Sequence, residues 1–263
     1  MEGQLGGSYL DAILHGCLTY AEQAETSVVI CRMSFEQVEK GEWPTALRRG
    51  QLDGVVLRGW WQQQVSSWLK ENKVPCVLVD CDQYVSSLPQ VQIENIQAMD
   101  SLVDYLTESG SKRFVTITGD MEHLNAQERL AGLQMALVRR GLTLPPDQIA
   151  VERGFDEASG QRGVQTLLSR NVGFDTLVCQ NDLIAYGALQ ALKQAGLVVP
   201  DQVRLTGFDN MDVGHRFDVP IITVDPQPAT LGREGVKLLL QTIEGDSLQP
   251  VHLRLPAKLV VRT

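Results

Sequence analysis

Short continuous apolar runs alternate along the chain with segments whose apolar positions recur every three or four residues. The runs Ser27–Met33, Gly54–Arg58, Pro75–Cys81, Val91–Glu94, Arg113–Gly119, Ile149–Glu152, Thr176–Gln180, Val203–Phe208 and Ile221–Val224 read as strands. Runs such as Val-Val-Leu and Cys-Val-Leu-Val show no polar alternation. Strands covered by helices on both faces have that pattern, as in parallel sheets. Between the runs, Ile184, Gly187, Ala188, Ala191, Leu192 and Ala195 form one helical face, which Gly196 closes. Ile96, Met99, Leu102, Val103 and Leu106 form a second face, ending at Gly110, and Leu130, Leu133 and Leu137 a third, ending at Gly141.

Strand and helix alternating over most of the length predict an α/β protein built from right-handed βαβ units in doubly wound parallel sheets. Nine strands are many for one open sheet. Two lobes fit better, and without a low-complexity linker the chain is expected to cross between them through ordered segments.

Composition narrows the class. The chain has 263 residues, 43% hydrophobic and 21% charged, enough apolar surface for two modest cores. Its net charge of −9 argues against nucleic-acid binding by these residues, because phosphate contacts need a basic face. The pairs Lys112-Arg113 and Arg139-Arg140 read as solvated helix ends. The first residues carry neither a basic start nor an apolar core, so no signal peptide is expected. No run is long enough to span a membrane. Five scattered cysteines without a CxxC read as reduced thiols, and the four histidines lack metal-ligand spacing. The expectation is a cytoplasmic protein without metal or cofactor.

In open α/β sheets ligands bind beyond the carboxyl ends of the strands. Polar residues gather at those positions. One strand runs into Asn181-Asp182, another into Asp209-Asn210, a third into Glu94-Asn95, and a fourth leads to a helix carrying Arg129. The run Ile149–Glu152 leads to Gly154-Phe155-Asp156. An amide, a carboxylate, a fork of N–H donors and an aromatic face suit a polyhydroxylated ligand. Each residue also has a plainer reading. Asn181 or Asp182 can cap the following helix, Asp209-Asn210 can be an ordinary turn, Arg129 a surface charge and Phe155 core. Trp60 and Tyr9 are placed to reach a cleft, although packing is the commoner fate of a tryptophan. No GxGxxG, P-loop, HExxH or GxSxG occurs, and no carboxylate pair has the spacing of general acid and base, so no enzyme is expected.

Several of these segments resemble the LacI/GalR family of bacterial transcription regulators. The stretch from Val199 to Asn210 (VPDQVRLTGFDN) is similar to the family's "vPeDvsvvGfDd", and Cys179 to Ala188 (CQNDLIAYGA) to its "aaNDlmAlGal". Arg129-Leu130-Ala131-Gly132 resembles "RlaGf". Ile222-Thr223-Val224 with Leu231-Gly232 resembles "TTV…lG", and Leu255 to Arg262 resembles "lpxxLvvR". The matches run in order from about Tyr9 to Arg262.

The resemblance implies a periplasmic-binding-protein-like fold, two lobes joined by three crossovers near Ser109, Pro226 and Leu248. The expected division is 1–109 with 226–247, and 110–225 with 248–263. It implies a sugar or similar effector in the cleft, a homodimer, and no membrane partner. By position, Arg129, Asn181 and Asp209 would take the effector's polar groups and Phe155 its ring face. Tyr9, Trp60, Glu94 and Asn95 would serve from the other lobe, with Glu94 standing where the family has Asp. The family's helix-turn-helix, hinge helix and first strand have no counterpart here, and Gln227 lies one place from the family's glutamine. Operator DNA would therefore be reached only through an N-terminal domain absent from this chain, which reads as truncated or begun at a late start codon. A solute-binding protein of a sugar transporter is the alternative on the same fold.

Overall fold

The computed structural model describes residues 9–59, 62–81, 85–211, 217–245 and 250–262. In chain order the elements are α1 (Tyr9–Gln23), α2 (Phe35–Glu39), α3 (Thr45–Arg48), β1 (Val55–Leu57), α4 (Gln62–Glu71), β2 (Cys76–Val79), β3 (Gln90–Ile93) and α5 (Asn95–Glu108). There follow β4 (Phe114–Thr118), α6 (Leu124–Arg139), β5 (Ile149–Val151), α7 (Glu157–Ser169), β6 (Thr176–Cys179) and α8 (Asp182–Gln194). The last are β7 (Arg204–Thr206), β8 (Ile222–Asp225), α9 (Pro228–Glu244), β9 (His252–Leu255) and β10 (Lys258–Val261). They divide into two compact units, residues 1–93 with 227–255 and residues 94–226 with 256–263.

The first unit holds a four-stranded sheet in the order β1-β2-β3-β9, parallel throughout. Every residue of β2 and β3 is buried, as continuous apolar or neutral runs require between two layers. Helices α1 and α9 pack so closely that a Cβ on Gly16 would stand 1.8 Å from the Ala229 carbonyl oxygen, and one on Gly232 would stand 2.0 Å from that of Ile13. Only glycine permits that approach.

The second unit holds a six-stranded sheet in the order β10-β8-β7-β6-β4-β5, parallel except for β10, which runs antiparallel to β8. β4 and β6 are buried along their whole length. The three helices read from periodicity are present, and the glycines after them, Gly110, Gly141 and Gly196, take left-handed φ of 93°, 71° and 75°.

Three features differ from the sequence reading. Ser27–Met33 forms no strand. Val29 and Ile30 are 58% and 55% exposed, and β1 has no described neighbour on its outer side. An apolar run becomes a strand only when a ladder partner satisfies its backbone groups. Two strands went unread, β9 and β10, whose residues are exposed or half-buried. Two of the three crossings also lie elsewhere than expected. The chain leaves the first unit after Ile93 rather than near Ser109, because α5 packs on α6: Gly132 meets the Ile96 backbone, and Arg140 joins Asp100 at 2.9 Å and Asp104 at 2.8 Å. It leaves again after Leu255 rather than near Leu248, because β9 pairs with β3. The chain passes from the second unit back to the first between Pro226 and Gln227. The basic pair Arg139-Arg140 does end a helix, and both residues also form ion pairs to α5.

Candidate functional site

In the second unit β4, β6, β7 and β8 are neighbours, so the residues after β4, β6 and β7 meet along one rim. Arg129, on α6, is the hub. Its side chain is 93% buried. Its Nε donates to Asn95 Oδ1 at 3.0 Å and its Nη1 to the Gln180 carbonyl at 2.7 Å. Nη2 stands 3.6 Å from Asp209 Oδ1, and the guanidinium lies over the Phe208 ring at 3.6 Å. A buried guanidinium is tolerable only when its donors are engaged, and an aromatic face beneath it adds attraction. The separation from Asp209 is an ion-pair distance rather than a hydrogen bond.

Asn95, the first residue of α5, is fully buried. Its Oδ1 accepts from Arg129, and its Nδ2 donates to Asn125 Oδ1 at 2.8 Å and Glu128 Oε2 at 2.9 Å. Glu94 occupies the N-cap position of α5 without a side-chain cap and is half-buried. Both belong to the second unit, not the first.

Asn181 caps α8: its Oδ1 accepts from the Ile184 N–H at 2.8 Å. Its Nδ2 donates to the Phe155 carbonyl at 2.9 Å, so both ends of the amide serve the fold. The Phe155 ring covers Gly119, where a Cβ would lie 2.1 Å from it, and meets His123 edge-on with centroids 4.9 Å apart. The ring is half-buried and packs against the core of this unit.

Asp209 and Asn210 both adopt left-handed backbone, with φ of 97° and 45°. Non-glycine residues take such angles only where the surroundings hold them, at a cost of ~1–3 kcal/mol each. Asp182, fully buried at the start of α8, holds this turn. Its N–H donates to the Phe208 carbonyl at 2.8 Å, and its carboxylate accepts from the Met211 N–H at 2.8 Å and the Thr223 hydroxyl at 2.7 Å. Burial pushes the Asp182 carboxyl up to about 7; the Thr223 hydrogen bond works against this, and the charge of Asp209 adds to it.

Gln180 is a further residue that sequence reasoning passed over. It is buried, its Nε2 donates to the Ala126 carbonyl at 2.9 Å, and its backbone oxygen holds Arg129. A polar residue closing an otherwise apolar strand was the available signal.

In the first unit, Tyr9 begins α1 and its ring lies 5.6 Å from the Arg58 guanidinium, which pairs with buried Asp80 at 3.1 Å. Arg58 and Asp80 follow β1 and β2 directly, the same strand-end position that marks the rim of the second unit. Trp60 lies outside the described residues. Among the described residues no group of three His, Cys, Asp or Glu side chains is arranged to hold a metal ion, and no helix is long and apolar enough to cross a membrane.

Doubly wound units whose hydrogen-bonding side chains converge past the carboxyl ends of their strands define a periplasmic-binding-protein-like class. A family model described as "Periplasmic binding protein-like domain" matches residues 103–263. The chain is 32% identical over 215 residues to the HTH-type transcriptional repressor CytR of Escherichia coli strain K12, a match covering 81% of this chain and 62% of that repressor. It is 27% identical over 238 residues to the ribose operon repressor of the same strain, covering 90% of this chain and 72% of that protein. Among solved structures, the transcriptional regulator CelR–cellobiose complex superposes with a TM-score of 0.88 at 26% identity, over 97% of this chain and 78% of that one. The lac repressor dimer bound to operator shares the fold, with a TM-score of 0.82 at 22% identity, over 97% of this chain and 76% of that one. The chain belongs to the LacI/GalR family through its periplasmic-binding-protein-like core.

Proposed function

We propose that this chain is the effector-sensing core of a LacI/GalR-type transcription regulator, binding a small sugar or nucleoside-like molecule at the rim of the second unit. The buried Arg129 hub carries the reading. Its guanidinium is fixed by Asn95, Gln180 and Phe208, and an oxygen of the Asp209 carboxylate stands 3.6 Å from its Nη2. A pre-oriented donor beside a pre-oriented acceptor suits vicinal hydroxyls, which donate to the carboxylate and accept from the guanidinium. Phe155 supplies an apolar face nearby. The names of relatives lend support: a ribose operon repressor and a cellobiose complex. In this reading the protein binds without turning its ligand over, acts in the cytoplasm and works as a homodimer. It reaches operator DNA through a helix-turn-helix domain outside these 263 residues.

Titration calorimetry with cellobiose, D-ribose and a panel of mono- and disaccharides and nucleosides tests this. Asp209→Ala is expected to weaken the binding compound by roughly 30- to 150-fold, about 2–3 kcal/mol, the loss of a charge-assisted hydrogen bond in a buried setting. Unchanged affinity removes Asp209 from the site. A panel in which nothing binds overturns the sensing role.

A further inference from the structure

The residues that take part in the proposed contacts do not hold themselves in place. The turn Phe208–Met211 carries two non-glycine residues in left-handed conformation, and one of them is Asp209. Asp182 grips this turn at both ends. Its backbone N–H binds the carbonyl of Phe208, just before the strained pair, and its carboxylate binds the N–H of Met211, just after it. The other carboxylate oxygen accepts from Thr223 on β8, and Thr223 Oγ1 in turn accepts from the Asn210 N–H at 3.4 Å. From the far side Arg262, after β10, donates to Asn210 Oδ1 at 2.8 Å. Gly207 makes room for the grip, since a Cβ there would stand 2.1 Å from Asp182 Oδ1.

We propose that Asp182 is a positioning residue: through Met211 and Thr223 it holds the turn that presents the Asp209 carboxylate to Arg129, and so determines effector affinity without touching the effector. This rests on the sensing role proposed above. The grip joins α8, the turn after β7, β8 and the last described residues into one support, in which Asp182 takes part in three hydrogen bonds, Thr223 in two and Arg262 in one. Without the Asp182 carboxylate the Met211 N–H and the Thr223 hydroxyl lose their acceptor, and the hold on the two left-handed residues weakens to the Asp209 N–H bond to the Val224 carbonyl and the contacts of Asn210 with Thr223 and Arg262. The Asp209 carboxylate then leaves its place opposite Arg129.

Asparagine at this position distinguishes positioning from charge. Its amide oxygen can accept from Met211 while its NH₂ donates to Thr223 Oγ1, so the grip survives although the charge is gone. The test compares wild type, Asp182→Ala, Asp182→Asn and Thr223→Val in two measurements: calorimetry with cellobiose and D-ribose, and amide hydrogen exchange of Asn210 and Met211 without ligand. The expected result is a loss of affinity on the order of tenfold in Asp182→Ala, a smaller loss in Thr223→Val, and recovery to within about threefold of wild type in Asp182→Asn. Met211 protection should follow the same order. Asp182→Ala binding as tightly as wild type, or Met211 protection unchanged in it, overturns the proposal. Should Asp182→Ala fail to fold, Thr223→Val decides by the same two measurements. A wild type that binds neither these sugars nor the wider panel fails the sensing role itself, and with it the link to affinity. The exchange data are then still able to show separately whether the grip is real.

Discussion

Replacing Asp182 by Asn removes a buried charge while keeping a shape that Thr223 and Met211 can both hold. The folded protein keeps a proton on this carboxyl up to about pH 7, against a usual value of 3.8. Burial is the main cause, offset in part by the Thr223 hydrogen bond and by Arg262 and reinforced by Asp209. Between those two values the native state binds more protons than the unfolded chain, so stability falls as pH rises. The difference of roughly 3 pH units corresponds to about 4 kcal/mol, fully incurred above pH 7 and absent below pH 4. Asp182→Asn should therefore unfold with a flatter pH dependence between 4.5 and 7. It should also be more stable than wild type at pH 8, by about 2–4 kcal/mol less whatever its weaker hydrogen bonds cost, ~1 kcal/mol. Urea unfolding at pH 5, 6, 7 and 8, followed by circular dichroism, measures both. If the difference between the two proteins does not change with pH, or if Asp182→Asn is the less stable at pH 8, the carboxyl is not held neutral by burial and the reasoning fails.

Two other predictions concern the scaffold. In Gly187→Ala a new Cβ would stand 1.8 Å from the Glu157 carbonyl oxygen, so α7 and α8 must separate; a loss of roughly 2–4 kcal/mol in urea unfolding is expected, and a loss under 1 kcal/mol would show that the helices shift freely. The amides of Val29 and Ile30, exposed and outside any strand, should exchange within seconds at neutral pH while those of β2 and β6 are protected for far longer, and slow exchange at both would show that the run is paired after all.

Much of the second unit was legible from local pattern. β4 and β6 are continuous apolar runs, and α8 has an apolar face with Asn181 before it and Gly196 after it, so propensity, burial and capping agree there. Legibility failed where the outcome depends on a partner distant in sequence. Ser27–Met33 has the composition of a strand but no described strand to pair with. β10 is short and half-exposed, and it exists because β8 offers an edge some 35 residues earlier, with Leu259 opposite Val224. α5 reads as the end of the first unit by order along the chain, yet its apolar face and its Asp100 and Asp104 fit α6.

The same division holds at the site. Alternating apolar runs and helical faces are enough to locate Asn95, Asn181 and Asp209 just beyond strand ends and Arg129 on the helix after β4. Only the tertiary structure decided what each does there. It committed both ends of the Asn181 amide to the fold, buried Arg129 against Asn95 and Phe208, and left Asp209 opposite it at 3.6 Å. The physical reason is that hydrophobic periodicity is a property of neighbours along the chain, whereas the partners of a buried polar group come from whichever elements the fold brings alongside. Asp182 and Thr223, 41 residues apart, are joined by one hydrogen bond that no local pattern announces.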